Sequence, residues 1–110
     1  MRPHEFEIQV NDDGTLLVVA PSGELDLATV PPVREALARC TDVHRALVLD
    51  LREVTFMDST AVRLLIEMRN GDRADRFAVV SPPGPVGQVL DVSGVRSLFR
   101  WVDEPSDALG

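Results

Sequence analysis

Three small polar residues, Asp58-Ser59-Thr60, stand where a helical pattern begins, and they are the residues best placed to do chemistry. Asp, Ser and Thr are preferred N-cap residues, because their side-chain oxygens accept hydrogen bonds from unpaired N–H groups of the first helical turn. Three in a row exceed what one cap requires. A phosphate is also favoured at a helix N-terminus, which makes the Ser59 hydroxyl a candidate phosphorylation site. Both interpretations, a cap and a modified hydroxyl, are open at this point.

Signatures of an enzyme active site are sparse in the rest of the chain. It has no GxxxxGK[ST] phosphate-binding loop, no GxGxxG after the first strand and no GxSxG nucleophile elbow. Gly84-Pro85-Val86-Gly87 is a poor phosphate cradle, because Pro85 lacks an N–H donor. A Ser-His-Asp triad would need Ser59 and His44, a histidine in a predicted loop. We therefore expect no catalytic residue and predict that the chain is not an enzyme.

The composition is acidic, with 11 Lys+Arg against 18 Asp+Glu in 110 residues and a formal net charge of −7. Such a chain lacks the basic face that direct nucleic-acid binding requires, and it is not attracted to an anionic membrane. Its longest purely apolar stretch, residues 16–20, is far too short to cross a bilayer. The first residues lack the apolar core of a signal peptide. We therefore expect a cytoplasmic protein.

Cysteine and histidine give little support for a metal site. The single Cys40 cannot form an internal disulfide. Cys40 and His44 are spaced for two ligands on one helical face, but Thr41-Asp42 between them indicates a helix end and no third ligand is near. A small core residue closing a helix is the simpler interpretation of Cys40. We predict no metal site and no cofactor.

The elements that must position Ser59 begin with an N-terminal β-hairpin. Residues 6–10 alternate between apolar and polar, residues 11–14 (Asn-Asp-Asp-Gly) are a turn signal, and residues 16–20 form a second apolar strand. Pro21-Ser22-Gly23 is expected to break this strand. Residues 23–26 are then expected to form a loop.

Alternating strand and helix patterns follow. The three helical stripes are Val33, Ala36, Leu37 and Cys40; Ala61, Leu64, Leu65 and Met68; and Val86, Val89, Leu90 and Ser93. Continuous apolar runs at 46–49 and 77–80 are typical of strands buried on both faces. The pattern at residues 98–101 is typical of a short edge strand. Residues 105–110 have room for one more turn. The order predicts an α/β fold, a mixed, mostly parallel sheet packed against three or four helices.

Two segments of the chain are similar to the signature of a known family. One is residues 56–65, which contain Asp58-Ser59-Thr60 and follow Val48-Leu49-Asp50-Leu51. The other is Gly23-Glu24-Leu25-Asp26, followed by a helix that ends Leu37-Ala38-Arg39-Cys40. Together they resemble the STAS domain of bacterial anti-sigma factor antagonists, and the resemblance covers roughly residues 6–101 in the same order.

The resemblance implies a sheet packed against helices on one main face, and partner switching in transcription regulation. The unphosphorylated antagonist binds an anti-sigma factor, typically an ATP-dependent serine-protein kinase, and so releases a sigma factor. The kinase phosphorylates the motif serine, here Ser59, the phosphoprotein dissociates, and a metal-dependent PP2C-type phosphatase resets it. By the same resemblance Asp58, Thr60, Glu24 and Asp26 lie with Ser59 on the partner-binding surface.

Two features depart from the family pattern. Ala61 stands where the family usually has glycine, and we expect its methyl group to crowd the backbone of a partner. The tail, residues 103–110, is shorter than the usual C-terminal helix. We therefore expect a single domain over 1–110 with a core at about 5–102. We also expect uncovered apolar surface near Phe99 and Trp101, available to a partner or to a weak homodimer.

Two other functions are alternatives to the phosphorylation switch. One is a STAS scaffold that does not switch, in a signalling assembly or as a transporter subunit, which Ala61 and the short tail favour. The other is a small hydrolase or nucleotide-binding domain that uses Ser59 and nearby acids, although it would lack a base and a phosphate loop. The switch is the leading interpretation, because both motifs occur in the family's order.

Overall fold

The polypeptide forms a mixed six-stranded β-sheet with helices packed against it. The computed structural model describes residues 6–39, 45–71, 74–92 and 94–109. The strands are β1 (Glu7–Asp12), β2 (Leu16–Leu25), β3 (Ala46–Asp50), β4 (Glu53–Met57), β5 (Phe77–Val80) and β6 (Trp101–Val102). The α-helices are α1 (Val30–Ala38), α2 (Ser59–Arg69) and α3 (Gln88–Val92), and 3-10 turns lie at Ala74–Arg76, Gly84–Gly87, Arg96–Leu98 and Pro105–Leu109.

The sheet has the strand order β1-β2-β3-β5-β6, and β4 also pairs with β2. β1 and β2 form an antiparallel hairpin, whereas β2–β3, β2–β4, β3–β5 and β5–β6 are parallel pairs. In the hairpin turn, Asp13 Oδ1 accepts hydrogen bonds from the N–H groups of Thr15 at 2.9 Å and Leu16 at 2.8 Å. The predicted α/β fold, with its N-terminal hairpin and mostly parallel sheet, is confirmed.

The second strand is longer than its sequence pattern predicts. β2 continues through Pro21 to Leu25, so the predicted break at 21–23 and loop at 23–26 are wrong up to Leu25. The proline is tolerated because the β3 register ends at Val19 and the β4 register begins at Ser22. Pro21 therefore interrupts no ladder with a parallel partner. Gly23, at φ +105°, lies where the register with β4 shifts, in a backbone conformation that glycine adopts without steric cost.

The strand that leads to Ser59, β4, is absent from the sequence prediction. Its register with β2 skips Thr55, because Gly23 pairs with Val54 and Glu24 with Phe56. This irregularity leaves two exposed residues between the buried Val54 and Met57 and removes the alternation that marks a strand. β4 carries the chain along β2, so that Asp58 and α2 follow at the carboxyl edge of the sheet.

Helices α1 and α2 pack on one face of the sheet. Of their predicted inner stripes, Val33, Ala36 and Leu37 in α1 and Ala61, Leu64 and Leu65 in α2 are buried, and Met68 is half-buried against the same core. On the outer side, Arg34 donates two hydrogen bonds to Glu67, at 2.9 and 3.1 Å, which join the two helices. Cys40, predicted to close α1, lies outside the described residues.

The third predicted helix is short and begins as a 3-10 turn. Gly84–Gly87 leads directly into α3, where Leu90 is fully buried in the same core as α1 and α2. Val86 and Val89 are half-buried against that core. Ser93, the last residue of the predicted stripe, lies outside the described residues. Within the described ranges, every helix is too short or too polar to cross a membrane.

The opposite face of the sheet carries a smaller apolar cluster, covered in part by the last turn of the chain. Its buried members are Leu16, Ala46, Val48, Ala78, Val80 and Ala108. Ala108 belongs to the turn Pro105–Leu109, and Arg100 donates to its carbonyl at 3.1 Å. Arg52 binds Asp50 at 2.8 Å and Glu104 at 3.1 Å, which links the tail to β3.

One expectation about the apolar residues before the tail is wrong, whereas uncovered apolar surface does lie beside Phe99, at Leu98, which is 42% exposed. Residues 98–101 do not form one edge strand, because a 3-10 turn ends at Leu98 and β6 begins only at Trp101. Phe99 is buried at 9% exposed and meets the half-buried Trp101 edge-to-face, with ring centroids 6.0 Å apart. The Arg96 guanidinium lies 4.6 Å from the centroid of the Trp101 ring. A weak homodimer stays a prediction that these two aromatic residues do not support.

Candidate functional site

The carboxyl ends of β2 and β4 lie side by side and bring the two sequence motifs together. Leu25 pairs with Met57, and the N–H of Asp58 donates to the Leu25 carbonyl at 3.3 Å. Parallel strands end at the same sheet edge, so the end of β2 and the turn after it adjoin the start of α2. Glu24 and Asp26 are thus neighbours of the Asp58-Ser59-Thr60 segment. Their part in partner binding stays a prediction.

Asp58 is the N-cap of α2, with extended backbone at φ −115° and ψ −172°. Its Oδ1 accepts hydrogen bonds from the N–H groups of Thr60 at 2.9 Å and Ala61 at 3.2 Å, and from the Thr60 hydroxyl. The Thr60 hydroxyl contributes most to lowering the pKa of Asp58. The N–H groups of Ala61, Thr60 and Leu27 add to it, and burial opposes it. Asp58 is therefore ionised at neutral pH.

Ser59, the first residue of α2, has an exposed side chain. Among the described residues its hydroxyl has no hydrogen-bond partner, whereas Asp58 caps the helix and the Thr60 hydroxyl is bound to Asp58. The three polar residues therefore have different tasks. Capping belongs to Asp58, and the Ser59 hydroxyl is open to the solution at the start of the helix.

Asp26 closes the turn that leads from β2 into α1. Its Oδ1 accepts hydrogen bonds from the N–H groups of Ala28 at 3.0 Å and Thr29 at 3.2 Å. The Thr29 hydroxyl donates to the Glu24 carbonyl at 2.7 Å, which ties the turn to the end of β2. The Asp26 carboxylate thus shapes the turn. The Glu24 side chain is exposed, with no hydrogen bond or ion pair in the described part of the chain.

Two large apolar side chains near Ser59 are exposed, and the sequence analysis did not single them out as site residues. Leu27 is 75% exposed in the turn after Asp26, and Phe56 is 48% exposed near the end of β4. The N–H of Leu27 helps to lower the pKa of Asp58, so this turn lies against the start of α2. The sequence does carry a signal for Leu27, since it is an apolar residue in a turn. It carries no signal for Phe56, because the exposure of this side chain depends on the irregular register of β4 with β2.

Ala61, where the chain departs from the family pattern, points into the core. Its exposed fraction is 0%, and it belongs to the main apolar cluster. The expectation that its methyl group crowds a partner's backbone is therefore wrong, because this methyl faces away from the surface. The glycine-to-alanine difference leaves the exposed outline of the site around Ser59 unchanged.

The described residues give no support to the other candidate sites, namely the catalytic triad, the metal pair and the phosphate loop. His44 of the Ser-His-Asp arrangement and both members of the Cys40–His44 pair lie outside the described residues. Within the described ranges, no group of three or more His, Cys, Asp or Glu side chains is placed to hold a metal ion. At Gly84–Gly87, a Cβ on Gly87 would meet Arg96 Nη2 at 3.0 Å. That glycine allows close packing of Arg96, which accounts for it without a phosphate.

Two grooves lie away from Ser59. One, of about 500 Å³, lies near the far end of α2 and is lined by Arg69, Asp75, Phe77, Leu98, Phe99 and Arg100. The other, of about 650 Å³, lies on the second sheet face near Arg52 and Pro105. Neither is lined by a residue of the Asp58-Ser59-Thr60 segment. Exposed apolar and acidic side chains around an open hydroxyl suit contact with a protein.

Known proteins of similar sequence and fold place this geometry in a family. The model of the STAS domain matches residues 6–108. The anti-sigma-F factor antagonist RsfB of Mycobacterium tuberculosis is 28% identical over 109 residues, which covers 97% of this chain and 89% of RsfB.

Solved structures agree with this match. An anti-sigma factor antagonist from Mycobacterium paratuberculosis has a TM-score of 0.81 at 30% identity, covering 98% of this chain and 94% of that one. The anti-sigma factor antagonist SpoIIAA, in its unphosphorylated form, shares the fold with a TM-score of 0.68 at 22% identity, over 94% of this chain and 93% of that one. Because the family model matches residues 6–108 of the 110 in this chain, the chain belongs to the STAS domain family.

Proposed function

We propose that this STAS domain is an anti-sigma factor antagonist, and that phosphorylation of Ser59 switches its binding off. The observation that carries the proposal is the Ser59 hydroxyl, which is exposed and without a partner in the described residues while Asp58 caps the helix. The similar proteins from M. tuberculosis and M. paratuberculosis are named anti-sigma factor antagonists, and this chain covers 89% and 94% of their lengths. Such a role belongs in the bacterial cytoplasm, where sigma factors act.

The proposed docking surface combines acidic and apolar side chains around the hydroxyl. Its members are Asp58, Ser59 and Thr60 of the helix start, Glu24 and Asp26 of the neighbouring strand end, and the apolar Leu27 and Phe56. Fully burying a side chain such as Leu27 or Phe56 contributes about 1.5–3 kcal/mol, so these two supply the apolar anchors.

Phosphorylation would oppose docking through charge at the centre of this surface. A phosphate on Ser59 adds roughly −1.5 to −2 charges at pH 7, next to the Asp58 carboxylate. Taking that charge out of water without a cation in the partner is unfavourable, and every 1.4 kcal/mol lowers affinity about tenfold. The fold itself is little affected, because the Ser59 side chain makes no hydrogen bond among the described residues.

The chemistry of the switch would be supplied by the partners. A serine-protein kinase, itself the anti-sigma factor, would transfer the γ-phosphoryl group of ATP to Ser59 Oγ, with release of ADP and the hydroxyl proton. A PP2C-type phosphatase would hydrolyse the phosphoserine and restore the hydroxyl. In this proposal the chain is a substrate and a binding protein, with no enzymatic activity of its own.

A pull-down from the lysate of the native host tests the proposal. Tagged wild-type, Ser59→Ala and Ser59→Glu proteins are compared, and captured proteins are identified by mass spectrometry. Ser97→Glu is the matched control, because it adds the same charge at an exposed serine in the distant turn Arg96–Leu98. We expect an ATP-binding kinase on the wild-type, Ser59→Ala and Ser97→Glu baits, and its loss from Ser59→Glu.

The other outcomes separate the alternatives. If all four baits retain the same partners, Ser59 does not control binding and the domain is a scaffold that does not switch. If Ser97→Glu loses the kinase as fully as Ser59→Glu, the effect is one of net charge, and the surface around Ser59 is not the docking site.

A further inference from the structure

Arg63 stands one helical turn beyond Ser59 on α2. Residues four apart in a helix lie on the same face, with Cβ atoms about 5–6 Å apart. The Arg63 side chain is exposed, and within the described residues it takes part in no hydrogen bond and no ion pair. A charged side chain without a partner therefore lies within reach of the candidate phosphorylation site.

The carboxylate that would normally pair with Arg63 is occupied. Glu67 is one turn further along the same face, and Arg34 of α1 binds both of its oxygens, Nε to Oε2 at 2.9 Å and Nη2 to Oε1 at 3.1 Å. The order of the two residues also matters, because a base four residues before an acid is less favourable than the reverse. Arg63 is thus left available on the side toward Ser59.

We propose that Arg63 is the internal counterion of a phosphate on Ser59. The acid then precedes the base by four residues, which is the favourable order in a helix. The guanidinium group offers a fork of N–H donors that matches two phosphate oxygens. The inference rests on the proposed phosphorylation of Ser59, because the contact arises in the cell only when this residue carries a phosphate. The contact itself depends only on the geometry of α2.

This contact would change what a partner meets after phosphorylation. Among the described residues, acidic side chains adjoin the phosphate site: Asp58 on its own segment, and Glu24 and Asp26 from the end of β2. Arg63 offsets part of their repulsion and holds the phosphate against α2. At the same time the Arg63 guanidinium, paired with the phosphate, is no longer available to a partner. The partner therefore meets a phosphate dianion and can no longer bind this arginine.

The test uses the whole chain carrying phosphoserine at position 59, installed during translation so that no kinase is needed. The second pKa of the phosphate is measured by ³¹P NMR titration in the otherwise wild-type chain and in Arg63→Gln. The matched control is Arg76→Gln, which removes the same charge from an exposed arginine in the turn before β5. Glutamine keeps the helix propensity of arginine, so α2 is preserved.

We expect Arg63→Gln to raise the second phosphate pKa by roughly 0.3 units or more, because a paired cation favours the dianion. Arg76→Gln should change it by less than about 0.1 units, because distant surface charges are screened by salt. As a second readout, the ¹H–¹⁵N signal of Arg63 Nε should shift between the Ser59 and phosphoserine forms.

Equal phosphate pKa values in the two arginine variants, or an Arg63 Nε signal that phosphorylation leaves unchanged, would overturn the inference. Neither result bears on the switch itself, because the phosphate is installed without the kinase. Conversely, finding Ser59 unmodified in host cells would count against the proposed switch, and the contact with Arg63 would remain measurable in the phosphoserine chain.

Discussion

The N–H of Asp58 donates to the carbonyl oxygen of Leu25 at 3.3 Å, and this bond joins the end of β2 to the residue that caps α2. Motifs that are far apart in sequence thereby become one surface. The bond lies beside the regular pairing of Leu25 with Met57, so the surface is held by the sheet itself. In the proposed function, the position that these bonds give Ser59 would lower the conformational entropy lost on docking.

The division of tasks between Asp58 and Ser59 predicts that substituting them by alanine has unequal effects on stability. Asp58→Ala should lower the free energy of unfolding by about 1 kcal/mol, because Thr60 and Ala61 lose the acceptor of their N–H groups. Ser59→Ala should change it by less than about 0.5 kcal/mol, since this side chain is exposed. Urea unfolding followed by the fluorescence of Trp101 measures both. Equal losses would show that Ser59 also caps the helix.

The lowered pKa of Asp58 predicts how this stabilisation depends on pH. A depressed carboxyl pKa stabilises the fold above the unfolded-state value of 3.8, and the contribution disappears as pH falls through the folded-state pKa. Asp58→Asn is the comparison, because asparagine caps equally well without the charge. The stability difference between wild type and Asp58→Asn should be constant from about pH 5 to 7 and shrink below about pH 4. A difference unchanged at low pH would contradict the assignment.

The Thr60 hydroxyl is the group that lowers the pKa of Asp58 most. Thr60→Val removes the donor at nearly constant shape and should raise the pKa of Asp58 toward its ordinary value. Thr60→Ser keeps a hydroxyl and should leave the pKa low. A titration followed by ¹³C NMR of the Asp58 carboxyl carbon separates the two variants. If the valine variant titrates like wild type, the hydroxyl does not donate to Asp58.

The backbone conformation at position 23 requires glycine, because its φ is +105° where the register between β2 and β4 shifts. Gly23→Ala should cost about 1–2 kcal/mol of stability, since a Cβ is strained in this region. Gly71→Ala is the control. Its added Cβ would lie 3.5 Å from the Glu67 carbonyl, an ordinary contact, and should cost less than about 0.5 kcal/mol. Thermal unfolding of both variants gives the comparison, and similar losses would argue against strain at Gly23.

Much of the fold was predictable because its signals are local. The hairpin follows from alternation and an Asn-Asp-Asp-Gly turn, and the buried stripes of α1 and α2 follow from helical spacing. The helical stripe also places Ala61 inside. The expectation that its methyl meets a partner considered only the family's glycine and neglected that periodicity.

The rest of the site depends on pairing between distant segments. β4 lacks alternation because its register with β2 skips Thr55, and β2 runs through Pro21 because its parallel partner changes there. Neither is visible in either strand alone. The exposure of Phe56 follows from the same irregular register and could not be found from sequence, whereas Leu27 is recognisable as an apolar residue in a turn.

The central claim is that phosphate on Ser59 weakens binding to the anti-sigma factor. The measurement that tests it most directly is calorimetric titration of the kinase captured by Ser59→Ala with two forms of this chain, carrying serine or phosphoserine at position 59. Salt is held constant, because surface electrostatics depend on it. We expect the phosphoserine form to bind at least about tenfold more weakly, a difference of 1.4 kcal/mol or more. Equal affinity of the two forms would contradict it.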